Sequence, residues 1–230
     1  LKVLLSVGGW GSGRFSEMAA NDEYRRAFAK DCDRVVKEFD LDGIDIDWEY
    51  PTSSMANISA SPDDTENFTL LMKDIRAAIG DQKELTLATV ASAKYIDFKA
   101  ILPFINFVNS MAYDMASAPK HHSALYRSAN SGGITSDEAV TAHLKAGVPP
   151  SMLVMGMPFY GRGGDGYPSF QDFNKVGSTG GDYTEKWDTV AQVPYLVNKN
   201  DTLVFGFENA RSLAVSYTHL RAHETLANLV

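Results

Sequence analysis

The chain has 230 residues, 44% of them hydrophobic and 22% charged, enough for one α/β domain with a full core or for one large domain cut short. Its formal net charge of −8 argues against nucleic acid and anionic membrane surfaces as partners and suits a neutral or cationic ligand. No apolar run approaches the ~20 residues that span a bilayer, and the single cysteine, Cys32, excludes an intrachain disulfide.

In chain order, residues 2–7 form a short buried apolar run ending in glycines, which predicts a strand. Asn21 or Asp22 can cap a helix running to about residue 39. Cys32 lies on its apolar face with Phe28, Val35, Val36 and Phe39, as a small core hydrophobe rather than a reactive thiol. A second strand starts at Gly43. Asp63 or Asp64 can cap the next helix, with Phe68, Leu71, Met72, Ile75 and Ile79 inward and Gly80 past its end. Residues 85–91 read as a strand, 95–102 as a short helical turn and 105–113 as another strand. Ser136 caps a helix ending at Gly147, and Pro149 and Pro150 separate it from a strand over 152–157. Repeated strand–helix units predict a parallel sheet covered on both faces.

The segment LDGIDIDWEYP, residues 41–51, places Asp45, Asp47 and Glu49 at every second position. On a strand these carboxylates share one face, ~7 Å apart, while Ile44, Ile46 and Trp48 take the other. Like charges that close cannot all ionise cheaply, so at least one pKa rises. A carboxylic acid still protonated near neutral pH is what a glycosidase uses to protonate a leaving oxygen. The alternative is an amphipathic strand with a solvated acidic face. Ser6, Glu49, Tyr113 and Tyr160 all fall at the C-terminal ends of predicted strands, where a (β/α)8 barrel keeps its active site. The loop of residues 52–62 is long for a βα connection and fits a cleft wall or a mobile loop.

Asp42, Asp45, Asp47 and Glu49 match D-x-x-D-x-D-x-E, a pattern that resembles the signature of glycoside hydrolase family 18, the chitinases. SVGGW at residues 6–10 resembles the family's S-x-G-G, MAYD at 111–114 its M-x-Y-D, and GMPFYGR at 156–162 the strand that ends at its substrate-binding Tyr and Arg. The resemblance implies a (β/α)8 TIM barrel, incomplete here with about five barrel strands evident. These would be the third to seventh, the first two preceding Leu1. It further implies a small α+β insertion after the seventh strand. The expected organisation is a partial barrel over 1–162, an insertion module over 163–213 and a tail of doubtful origin over 214–230. The eighth strand should follow the insertion and end in a Trp. The three tryptophans are Trp10, Trp48 and Trp187, and the tail resembles no family element.

The implied activity is hydrolysis of β-1,4-linked N-acetylglucosamine polymers by a substrate-assisted, retaining route. Glu49 would protonate the glycosidic oxygen, and the substrate's acetamido carbonyl would attack to form an oxazolinium ion. Asp47 would orient the acetamido N–H, with Asp45 sharing a proton or hydrogen bond with it and Ser6 behind. Tyr113 would bond the acetamido carbonyl; Asp114, Tyr160 and Arg162 would hold the sugar, Trp10 would stack on it, and Tyr50 and Met111 would line its site. Asp42 faces away from the acids and reads as structural. Trp10 and Tyr50 have an alternative as core aromatics, Met111 as packing, and Arg162 as a partner of Asp165. His121 and His122 receive no role, and a metal site at His219, Arg221 and His223 is rejected. No cofactor or metal is expected, and the expected partner is chitin or a chitooligosaccharide, with neither nucleic acid nor membrane. The protein is expected to be monomeric and extracellular or periplasmic. Other readings are an endo-β-N-acetylglucosaminidase acting on N-glycans and a non-catalytic chitin-binding lectin of the same fold.

Overall fold

A computed structural model describes residues 1–164, 183–222 and 226–229, the last of these and residues 221–222 by backbone alone. The chain divides into two compact units, Leu1–Asn109 with Leu144–Met152, and Ser110–His143 with Leu153–Val230.

The first unit begins with strand β1 (Leu4–Gly8), a short helix α1 (Phe15–Ala20), helix α2 (Asp22–Glu38) and strand β2 (Gly43–Asp47). Helix α3 (Asp64–Ile79) leads to strand β3 (Glu84–Val90), and helix α4 (Phe98–Ile101) to strand β4 (Phe107–Met111), whose last two residues belong to the second unit. β2 pairs in parallel with both β1 and β3, placing Ser6, Asp45 and Thr86 side by side. Parallel neighbours need a crossover connection, here supplied by α1 and α2 and then by α3. Asn21 caps α2, its side chain accepting from the Glu23 and Tyr24 N–H groups. All five residues expected inward on α3 are buried, and Gly80 ends the helix at φ 77°. Asp63 makes no side-chain cap. Asp64, fully buried, instead accepts from Ser16 Oγ (2.7 Å) and from the Thr52 and Ser61 N–H groups (3.0 and 2.8 Å), so it ties down both ends of the loop after β2. Cys32 is buried, and burial pushes its thiol up to about 12, as suits a core residue.

The second unit holds most of helix α5 (Ser136–Lys145), strand β5 (Leu153–Met157) and an antiparallel sheet. That sheet comprises β6 (Gly161–Gly163), β7 (Thr184–Asp188), β8 (Val193–Val197) and β9 (Leu203–Phe207), in the order β6-β9-β8-β7. Ser136 is not the cap of α5 but its first residue. The cap is a box formed by Thr135 and Glu138, in which each side chain meets the other's N–H. Helix α6 (Ala210–Ala222) and strand β10 (Leu226–Leu229) follow, and β10 pairs in parallel with β5. No described helix is long and apolar enough to cross a membrane. The glycines from 166 to 181, Asp165 and His223 lie outside the described residues.

Candidate active site

The acid row forms as the alternation predicts. Along β2 and just beyond it, Ile44, Ile46 and Trp48 are buried, whereas Asp45, Asp47 and Glu49 are only partly covered. The apolar face is anchored by Trp48, 2% exposed, which stacks on Phe15 of α1 (5.4 Å between centroids) and meets Phe68 of α3 edge-on (5.5 Å). The glycines after Ser6 let β1 close over the end of β2. At Gly8, with φ 132°, a Cβ would sit 1.9 Å from the Asp47 carbonyl oxygen, which also accepts from Gly9 N–H at 2.8 Å.

Asp45 is held by three strands at once. Its Oδ2 accepts from Ser6 Oγ (2.7 Å), and its Oδ1 from Thr86 Oγ1 (2.5 Å) and Asn109 Nδ2 (3.1 Å). Thr86 and Asn109 were missed in the sequence. Their signal is register: in-phase residues of neighbouring parallel strands share a face, so Thr86 stands beside Asp45. Asp47 contrasts with Asp45, its Oδ1 being buried without a hydrogen-bond partner. Burial, then the charges of Glu49 and Asp45, push the Asp47 carboxyl up to about 7. Asp47, the middle one of the row, is thus a raised acid, through burial first and crowding second. Asp42 points elsewhere, accepting from the Val3 N–H at 2.6 Å and so joining the entries of β1 and β2.

Trp10 is 61% exposed and so is not a core aromatic. Tyr50, half-buried, stacks on Tyr95 at 5.4 Å. These residues, the acid row and Ser6 all belong to the first unit.

In the second unit, Met111 ends β4, half-buried, and Tyr113 follows. The Tyr113 ring meets Tyr160 edge-on (6.1 Å) and fills the space beside Gly156, where a Cβ would lie 2.6 Å from Tyr113 Cε1. Asp114, at φ 54°, is clasped by both ends of the Arg162 guanidinium, with Nε 2.6 Å from Oδ1 and a second nitrogen on Oδ2. Burial alone would raise the Asp114 carboxyl, but Arg162, His122 and the Tyr160 hydroxyl together hold it well below the usual carboxylate range. Burial, then the Asp114 charge, pushes the Tyr160 phenol up. Arg162 therefore pairs with Asp114.

Sequence reading also missed both histidines. His122 Nδ1 lies 3.5 Å from Asp114 Oδ1, with its ring 5.5 Å from that of Tyr160. His121 Nε2 lies 3.0 Å from Asp188 Oδ2, which also accepts from Ser128 Oγ at 2.7 Å. Nothing in the local pattern marks them, because neither spacing, from His122 back to Asp114 or from His121 on to Asp188, is that of a helix or a strand. Among the described residues, no group of three or more His, Cys, Asp or Glu could hold a metal ion.

Comparison with known proteins shows the family and the fold. The model of the glycosyl hydrolases family 18 matches residues 1–227. Chitinase A1 of Niallia circulans is 32% identical over 96% of this chain and 39% of its own length. A glycoside hydrolase family 18 N-acetylglucosaminidase from Paenibacillus barengoltzii superposes with a TM-score of 0.89 at 32% identity, over all of this chain and 76% of that one. The chitinase ChiA74 of Bacillus thuringiensis does so with a TM-score of 0.90 at 28% identity, over all of this chain and 45% of that one. The chain thus spans about two fifths of the length of chitinase A1. With the parallel strands and crossover helices described above, these likenesses make the fold that of a (β/α)8 barrel.

Proposed function

The chain belongs to glycosyl hydrolases family 18, and from that premise we propose that it hydrolyses β-1,4-linked N-acetylglucosamine polymers by substrate assistance. The observation that carries this reading is the placement of Asp45 and Asp47 on one face of β2 with the Glu49 charge close to Asp47, which is pushed up to about 7. An acid poised there can hold or release a proton at the pH of the reaction.

In this reading Glu49 protonates the glycosidic oxygen while the substrate's own acetamido carbonyl attacks the anomeric carbon. Asp47, protonated in the free protein at mildly acidic pH, gives that proton up to water as substrate binds, and as a carboxylate accepts the acetamido N–H and offsets the positive charge of the oxazolinium ion. Asp45 is held still by Ser6, Thr86 and Asn109 and acts on Asp47 through its charge. Water, activated by Glu49 now acting as base, opens the intermediate with retention. Tyr113 bonds the acetamido carbonyl. Asp114, Tyr160 and Arg162, already bonded to one another, present a fixed polar face to the sugar. The exposed ring of Trp10 offers a stacking surface, with Tyr50 and Met111 lining the site. Residues 163–213 form the insertion module in this scheme, and the protein works outside the cytoplasm, where its polymer substrate is found.

The test is cleavage of a chitooligosaccharide beside its fully deacetylated counterpart. The acetylated substrate should be cut and the deacetylated one left intact, because its nucleophile is gone. Efficient cleavage of the deacetylated chain would point to a protein nucleophile, and cleavage of neither would refute the activity.

A further inference from the structure

Glu208 follows β9, lies outside the acid row and the Asp114–Arg162 cluster, and is 7% exposed. Its Oε1 accepts from Ser123 Oγ at 2.6 Å, and its Oε2 is buried without a hydrogen-bond partner beside a small cavity lined by Ser136, Gly156 and Ser216. Burying a carboxyl this deeply is costly, and only one of its two oxygens has a hydrogen bond to offset that cost.

The contacts around it close a ring. Ser123 is the neighbour of His122, whose ring approaches Asp114 and Tyr160 and whose carbonyl accepts from Met115 N–H at 2.9 Å. The His122 ring therefore packs against Asp114, while its backbone carbonyl holds the residue after Asp114. Asp114 in turn clasps Arg162 on β6, and Arg162 stands opposite Gly206 of β9, two residues before Glu208. Gly206 completes the circuit, since a Cβ there would lie 3.6 Å from His122 Cδ2. The loop carrying Asp114 thus meets the paired strands β6 and β9 twice: at Arg162 on β6, and at the buried Ser123–Glu208 bond just past the end of β9.

We propose that Glu208 is a positioning residue for the Asp114–Arg162 pair, acting through Ser123 and His122. Without it the pair loses its second brace, and the loop from Met115 to Ser123 can shift relative to β9. The proposal rests on the reading that this pair holds sugar, but its geometry stands apart from that reading. Burial pushes the Glu208 carboxyl up to about 7, so a neutral amide is a close substitute for it.

The experiment uses the full chain with Glu208→Ala, Glu208→Gln and Ser123→Ala. Glu208→Ala and Ser123→Ala should each raise KM for a chitooligosaccharide about threefold to tenfold, with kcat little changed, and Glu208→Gln should restore it. Combining Glu208→Ala with Asp114→Asn should add nothing to the loss from Asp114→Asn alone. Unchanged KM with only a lowered thermal midpoint, or additive losses, would overturn the proposal. Nitrogen NMR of the imidazoles decides it without substrate. The His122 resonances should shift in Glu208→Ala and Ser123→Ala and return in Glu208→Gln, while those of the buried His143 stay in place. Ser123→Ala retains Glu208 and serves if Glu208→Ala does not fold; an unmoved His122 signal would also overturn the proposal. A wild-type chain that neither binds nor cuts the sugar would refute the functional reading alone.

Discussion

Asp47 and Asp114 are both partly covered carboxylates beside polar neighbours, yet their acidities move in opposite directions. Asp47 is desolvated by burial, has an oxygen with no hydrogen-bond donor and the charges of Glu49 and Asp45 beside it, and is pushed up to about 7. Asp114 has a bidentate guanidinium, a phenol and an imidazole, and stays an anion across the working pH range. The contrast separates two uses of one functional group. A carboxylate crowded by its own kind can exchange protons near neutrality, while one clasped by a cation is a fixed feature against which something else is placed.

The strongest way to break the comparison is to remove the terminal acid. Glu49→Gln should lower turnover of a chitooligosaccharide by about 10²–10⁴-fold while leaving binding intact, since only proton transfer is lost. Steady-state kinetics with a binding measurement decide this, and activity within a few-fold of wild type would remove Glu49 from the donor role.

Asp47→Asn tests whether crowding, rather than any single acid, sets the chemistry. The rate should fall by about 10²–10³-fold through lost charge stabilisation, and an inflection near pH 7 should leave the pH–rate profile. The same change should stabilise the protein. The folded pKa of Asp47, about 7, lies above its ordinary value of 3.8, so folding takes up a proton between those limits and this group's contribution to stability falls as pH rises through them. Above pH 7 Asp47→Asn should therefore melt higher than wild type, on the order of 2 kcal/mol after allowance for solvent screening of a partly exposed group, and below pH 4 the two should converge. A thermal midpoint lowered equally at both pH values would show that Asp47 is not strained.

On the other side of the comparison, Arg162→Met should release Asp114. Charged hydrogen bonds are worth about 1.5–3 kcal/mol, so KM should rise about 10- to 100-fold while kcat changes far less. Unchanged KM would show that the clasp is structural only. The smallest effect belongs to Ser6→Ala, which removes one of three bonds to Asp45. It should cost about 0.5–1.5 kcal/mol and lower the thermal midpoint by a few degrees, measurable by calorimetry. A larger loss would mean that Thr86 and Asn109 cannot hold Asp45 without it.

Much of the first unit was legible because its information is local. A period of two placed Asp45 and Asp47 on one face of β2, with Glu49 two residues beyond its end, and a period near 3.6 placed Phe68, Leu71, Met72, Ile75 and Ile79 inward on α3. Both follow from bond geometry within a few residues. The cap of α5 was displaced by one residue, because Thr135 and Ser136 are equally good candidates until Glu138 is seen to bond Thr135. Only the folded chain could give Asp45 its three donors from three other strands, or choose Asp114 as the partner of Arg162, 48 residues away. The same holds for His122 and Glu208, which no periodicity distinguishes from other polar residues. The amino-acid sequence by itself determined which side chains share a face, since that depends on neighbours along the chain. Tertiary structure decided which carboxylate keeps its proton and which meets a cation, because burial and charge act through space between residues that the chain holds far apart.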